Sequence, residues 1–205
     1  MVGVVGPAGI GRVSLAGLAA ILLLGCGAAR AQAPAACPPE PIEVVRSRGG
    51  VVDYIGAVPG IPDLCRMVRP DGQGTYYYGI WKSDWPGAGD AYPAIKAAIN
   101  GPFNTRTDFV TRSVPGMQWV DSFINEGRVT VIVDGVPHAA LRLAHERRGI
   151  AGNTYHSIIT SWRDVETGAT LRTYEQQISG QSYGPDTTWQ AVKIQPIPAR
   201  VAETR

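Results

Sequence analysis

No stretch of this chain beyond residue 25 is apolar over the roughly 20 residues that a membrane-crossing helix requires. Net charge is also nearly lacking. Of 19 Lys and Arg, Arg12 and Arg30 fall in or beside an N-terminal apolar segment, and the others balance the 17 acidic residues. No basic stripe interleaves with aromatics, so nucleic acid is not an expected partner. There is no glycine-rich phosphate loop, no dinucleotide fingerprint and no thiol redox motif. The usual nucleotide-dependent and thiol-redox enzymes are thereby removed, and no cofactor is expected. Cysteine and histidine number three each, which leaves few ways to build a metal centre.

What is present at the N-terminus points to export. Residues 13–25, "VSLAGLAAILLLG", have the length of a signal-peptide core and are too short to span a bilayer. Two processing signals overlap behind it. Leu23-Leu24-Gly25-Cys26 reads as a lipobox, which would lipidate Cys26. Ala29-Arg30-Ala31 reads as an ordinary cleavage site, which would discard Cys26 and leave Gln32 first. The first route makes an outer-membrane lipoprotein, attached to the membrane only through Cys26; the second makes a free periplasmic protein, and we take the periplasm as the expected location. Either route retains Cys37 and Cys65. An oxidising compartment then predicts a disulfide between them, against the alternative of two buried thiols. In the chain-entropy model, closing that loop contributes about 3.6 kcal/mol.

The expected organisation is a signal peptide over 1–31, a Pro/Ala-rich leader without a core over 32–41, one β-rich domain over 42–195 and a disordered tail over 196–205. Strand signals dominate the domain. They lie at 42–47, 51–56, 64–69, 74–81, 107–114, 117–124, 128–133, 139–148, 153–165, 170–179 and 188–194, and each is bounded by turn residues. One helix is expected over 89–101, with Asp90 as N-cap, Pro93 in the first turn and Gly101-Pro102 as the stop. It is short enough to need the sheet for support. The fold class is therefore mainly β: an antiparallel curled sheet, or a β-sandwich or half-barrel, with one short helix.

The C-terminal meander can be given a register. With a turn at 149–152, Leu143 faces Ile158 and His145 faces His156. With a turn at 165–168, Trp162 faces Leu171 and Ile158 faces Glu175. One face then collects Leu141, Leu143, Ile158, Thr160, Trp162 and Leu171 as the concave side. The other collects Arg142, Glu146, Ser157, Arg163 and Arg172 toward water.

"YYYGIWKSDW…YPAIKAAINGPF" followed by "VTVIVDGVPHAALRLAHERRGIAGNTYHSIITSWRDVETGATLRTYE" resembles uncharacterised exported proteins of proteobacteria. In them a glycine-ended helix precedes a meander of long strands. The sheet is similar, at fold level, to the curled sheet of lipoprotein carriers of the LolA/LolB type. The resemblance spans roughly residues 37–195 and rests on turns, glycines and aromatics. It implies a fold and carries over no functional residue.

Few constellations could carry chemistry. Residues 180–184, "GQSYG", match Gly-x-Ser-x-Gly, yet Pro185 blocks the helix that must follow such a serine, and no histidine lies beyond 156. Ser182 is read as part of a hairpin loop. If His145 and His156 are opposed and Glu175 is diagonal to them, the three could hold zinc or a similar ion. Otherwise they only hydrogen-bond. Asp84 and Asp90 read as turn and capping residues, and Asp121 stands apart from both. The aromatics Tyr76, Tyr77, Tyr78, Trp81 and Trp85 read as core beneath a covering helix, or as a wall for a ligand.

The expected function is a non-enzymatic binding, carrier or structural module of the cell envelope. Its partner would be an apolar ligand or an envelope protein, met by Leu143, Ile158, Trp162, His145, His156 and Glu175. The alternative is a hydrolase or metal-dependent enzyme built on His145, His156 and Glu175.

Overall fold

The computed structural model describes residues 33–114, 117–180 and 187–198. The lipobox with Cys26, the cleavage site at Ala31 and Ser182 lie outside these residues. Eleven strands form one antiparallel sheet. They are β1 (Ile42–Arg46), β2 (Val51–Val58), β3 (Ile61–Arg69), β4 (Gly72–Tyr77), β5 (Trp81–Lys82), β6 (Arg106–Val114), β7 (Met117–Val133), β8 (Val136–Ile150), β9 (His156–Asp164), β10 (Thr170–Ser179) and β11 (Trp189–Pro196), with one helix, α1 (Ala88–Asn100), between β5 and β6. The spatial order is β5-β4-β3-β2-β1-β11-β10-β9-β8-β7-β6. Two meanders are thus joined where β1 pairs with β11. The sheet is open: its edges are β5 and β6, and α1 connects them. This is the curled sheet with one short helix that the strand pattern calls for. No helix among the described residues is long and apolar enough to cross a membrane.

The turns follow from residue chemistry. Asp134 and Gly135 both have positive φ (50° and 75°), which suits the two-residue turn that matches strand twist, and they join β7 to β8. The two sequence runs at 117–124 and 128–133 are one strand, β7, bent by a bulge. Pairing there jumps from Asn125↔Leu143 to Arg128↔Leu141, with Gly127 at φ 88°. Buried Asn125 exploits the bulge. Its Nδ2 donates to Ala98 O (3.0 Å) and Gly101 O (2.9 Å), tying the end of α1 to the sheet.

The helix begins one residue earlier than the sequence pattern suggests. Gly87, at φ 76°, is its N-cap, and no side chain caps it. Asp90 instead sits inside the first turn, where its charge complements the helix dipole. Ala91, Ala94, Ile95, Ala98 and Ile99 are buried against Phe123, Leu141 and Leu143 of the sheet. The small alanines let the helix backbone approach the concave face closely. A second core cluster fills the other half, with Val44, Val52, Tyr54, Met67, Tyr76 and Leu171.

The leader is bound to the domain. Cys37 and Cys65 form the expected disulfide, with Cα atoms 5.4 Å apart. Such a bond is compatible with export. Ala35 N donates to Val165 O at 2.9 Å, and a Cβ on Gly168 would lie 2.4 Å from Ala35 O, so only glycine fits beneath the leader there. At the far end Ile197 N donates to Pro41 O at 2.9 Å, which extends the folded region past 195.

Candidate functional site

The register of the meander differs from the sequence expectation, and the difference rearranges the site. β8 pairs with β9 as His145↔Ile159, Leu143↔Ser161, Leu141↔Arg163 and Arg148↔His156. The connection is longer than a four-residue turn at 149–152. Gly149 N donates to Tyr155 O, and Ala151 and Gly152 take positive φ inside the loop. The three-residue slip is odd, so it exchanges the faces of β9 relative to β8. A bulge between Thr170 and Arg172 shifts β10 by one more residue, and Arg172 pairs with Trp162 in place of Leu171.

His145 therefore faces the concavity, while His156 lies on the outer face beside Arg148. The expected pair of opposed imidazoles does not form. Glu175 pairs with Ile159 and shares the concave side with His145. Among the described residues no group of three or more His, Cys, Asp or Glu side chains gathers at metal-binding distance. Leu143 is buried beneath α1. Ile158 and Trp162 are on the outer face, where the Arg172 guanidinium covers the Trp162 ring at 4.7 Å. Arg163, expected in water, is fully buried on the inner face.

The inner face encloses a cavity of about 450 Å³. This lies within the roughly 300–1,000 Å³ of small-molecule sites. Trp81, Trp85, Phe123, Tyr155, Ile159 and Trp189 give it an aromatic and apolar wall. Tyr78 and Gly79 both take positive φ (53° and 65°) and carry the chain across the concavity, setting Trp81 into the wall. A Cβ at Gly79 would come within 3.2 Å of the Tyr54 ring, so the crossing is as close as a backbone allows. The aromatic cluster thus serves both readings. Tyr78 and Trp81 are core beneath the helix, and Trp81 also faces the cavity.

A polar cluster sits in this apolar frame. Asp121 on β7 is fully buried. With its carboxylate ionised, the ring nitrogen facing it carries the proton: His145 Nε2 donates to Oδ1 at 2.7 Å. Arg147 donates to the same oxygen through Nε at 2.7 Å and to Oδ2 at 3.3 Å. Burial by itself would raise the Asp121 pKa, but the hydrogen bonds and charges of His145 and Arg147 outweigh it and hold the group at about 2. The His145 ring stacks on Phe123 (centroids 4.8 Å apart), and the Arg147 guanidinium lies 5.5 Å from the Trp81 ring and 5.4 Å from that of Trp119. Both cavity-facing polar groups are thereby fixed in orientation.

Glu175 accepts from Thr187 Oγ1 at 2.9 Å across to the segment before β11. Arg163 donates to Tyr78 O and, at 3.2 Å, to Ala36 O. It joins β9, the crossing segment and the leader. Burial lowers its pKa to about 10. Two further cations, Arg46 and Arg69, line the cavity from β1 and β3.

Sequence reasoning missed Asp121, Arg147, Arg163, Arg46 and Arg69. A signal for the first two existed. In "WVDSF" and "LRLAHER" every second residue, Trp119, Asp121 and Phe123, then Leu141, Leu143, His145 and Arg147, has the period of a buried strand face. The polar members of that face belong to each other. Arg46 and Arg69 carried no such mark. Compared with protein-family models, with curated proteins and with solved structures, the chain finds no match in any of the three.

Proposed function

We propose that this is an exported, non-enzymatic binding or carrier protein that holds an apolar or amphipathic ligand in the concavity of its curled sheet. The observation that carries this reading is the cavity of about 450 Å³ with its wall of Trp81, Trp85, Phe123, Tyr155, Ile159 and Trp189. Export agrees with the Cys37–Cys65 disulfide and with the apolar segment at 13–25. The periplasm is the proposed compartment, with an outer-membrane lipoprotein anchored at Cys26 as the alternative. The proposal agrees in kind with the resemblance to lipoprotein carriers of the LolA/LolB type. Of the residues expected to meet a ligand, Leu143, His145 and Glu175 lie on the concave side, and Ile158, Trp162 and His156 lie outside it.

The test is fluorescence titration with the neutral dye N-phenyl-1-naphthylamine. Saturable binding, weakened at least tenfold by filling the cavity with Ile159→Trp, is the expected result. Binding that ignores this substitution would remove the reading.

A second reading, an acid–base enzyme, has one observation in its favour: His145 lines the cavity with a buried carboxylate behind it. Such pairs orient a histidine base. Turnover of 4-nitrophenyl esters that disappears in His145→Gln would favour it over the carrier.

A further inference from the structure

The cavity is apolar in area but not balanced in charge. Arg46, Arg69 and Arg147 line it, against Glu175 alone among the carboxylates that line it. Buried Asp121 neutralises Arg147. Glu175 is engaged by Thr187 on the other wall. Thr187 is neutral, so Glu175 keeps its charge and offsets one of Arg46 and Arg69, which leaves the lining with an excess of one cation.

These two guanidiniums are neighbours. Val44 pairs with Val52, and Asp53 pairs with Val68, so β1, β2 and β3 bring Arg46 and Arg69 to the same end of the concave face. The Arg69 charge lowers the proton affinity of Arg46, after burial the largest influence on it. Two like charges held together without a ligand destabilise one another.

Their own bonding is incomplete. Arg46 donates to the carbonyls of Gly49 and Gly50, neutral acceptors in its own turn. Arg69 Nε has Asp71 at 3.4 Å, but Asp71 is largely exposed and makes no hydrogen bond to it. Among the described residues that buried Nε has no hydrogen-bond partner. The indole N–H of Trp81, in the wall of the same cavity, is likewise buried without an acceptor. An orphaned buried donor is costly, and these two leave the wall of the cavity short of acceptors. Aromatic faces also lie under the two cations, Trp189 at 5.2 Å from Arg46 and Tyr76 at 5.3 Å from Arg69, which holds each guanidinium in place.

We infer that the ligand is an anionic amphiphile, its acidic oxygens held by Arg46 and Arg69 and its apolar body laid against the tryptophans of the cavity wall. This deepens the binding reading above and rests on it. Planar guanidiniums with fixed forks suit carboxylate and phosphate oxygens alike. The shared chemistry is an acidic oxygen head on an apolar body.

Two dyes with the same body test it. 8-Anilino-1-naphthalenesulfonate carries an acidic group, and N-phenyl-1-naphthylamine does not. The processed protein, with its disulfide formed, should bind the sulfonate at least tenfold more tightly than the amine. Arg46→Gln combined with Arg69→Gln should erase that preference and leave affinity for the amine within twofold. An unchanged melting temperature in the single variant Arg69→Gln, with part of the preference lost, separates recognition from folding.

Equal affinity of the wild type for both dyes overturns the inference, as does a preference that survives the double substitution. If amine binding is weakened by Ile159→Trp but no sulfonate preference exists, the cavity reading stands and only the acidic head is wrong. If neither dye binds, both readings fall. Displacement of the bound sulfonate by dodecanoate or by dodecyl phosphate, but not by dodecanol, separates a fatty-acid-like from a phospholipid-like head. Displacement by all three equally counts against an acidic head.

Discussion

Four consecutive residues of β8, His145-Glu146-Arg147-Arg148, split between two surroundings. His145 and Arg147 point into the concavity and meet Asp121, which is fully buried. Glu146 and Arg148 point outward. There Glu146 accepts from Arg106 at 2.9 Å and His156 at 2.9 Å, with Arg148 at 3.4 Å. The inner cluster sets one carboxylate against a histidine and one guanidinium. The outer sets Glu146, with Asp108 also on Arg106 at 3.0 Å, against a histidine and two guanidiniums, and Asp121 and Glu146 both titrate below their ordinary range. Burial raises both pKa values, and hydrogen bonds from the cations outweigh it in each case. The two clusters differ in how they tolerate the loss of a partner. Outside, Glu146 keeps some exposure and water can take the place of a lost partner; inside, Asp121 has none, so a lost partner leaves the carboxylate without a replacement.

The largest effect should come from Arg163, the strut of the inner face. Arg163→Ala removes bonds to Tyr78 O and Ala36 O and leaves a void. It should cost about 4 kcal/mol in denaturant unfolding, with part recovered by Arg163→Met, which keeps the volume. A loss below about 1 kcal/mol would mean that water enters and replaces it.

Next comes Asp121→Asn, which leaves Arg147 and His145 facing a neutral amide. The expected loss is about 3 kcal/mol, at the low end for a broken buried pair because Arg147 keeps 29% of its side chain exposed. If Glu146→Gln on the outer side costs as much, the contrast between the faces is false.

Acid titration sharpens the contrast. Asp121 is held at about 2 against an ordinary 3.8, so on acidification the unfolded chain takes up its proton first. The stability it supplies is complete above about pH 4 and drains away as pH falls toward 2, about 2 kcal/mol in all. Asp121→Asn should flatten that part of the stability profile. An unchanged acid limb in the variant would place the titrating group elsewhere.

Glu146→Gln should cost only about 1 kcal/mol, since its partners Arg106 and Arg148 keep 37% and 51% of their side chains in solvent. Arg172→Ala, which strips the exposed cation from Trp162, should cost about 0.5 kcal/mol.

The fold was legible in the chain because its signals are local. β-branched runs, Asp-Gly and Gly-Gly turns and a single helix with a glycine stop are each readable within about ten residues. The disulfide was readable because both expected processing routes leave Cys37 and Cys65 as the pair. The site was not, because it depends on registers, and a register is decided by the length of a turn. The loop after Ile150 is longer than its Gly-x-x-Gly spacing suggests, and that error sent His156 and Trp162 inward and Arg163 outward. The Arg46–Arg69 pair is further out of reach. It depends on curvature, which no two neighbouring residues encode.

The docked leader has a consequence for the order of assembly. Residues 35 and 36 emerge early, yet their acceptors and donors, Val165 and Arg163, are synthesised about 130 positions later. Contacts so distant along a chain form late, since each must first overcome loop-closure entropy. Cys65 lies only 28 positions from Cys37 and can capture the leader while the meander is still unmade. From then on the leader searches for its final seat as a tethered segment at high local concentration rather than as a free end. The oxidising step thus becomes a timing device: it parks the leader beside β3 until β9 and the turn after it arrive to receive it.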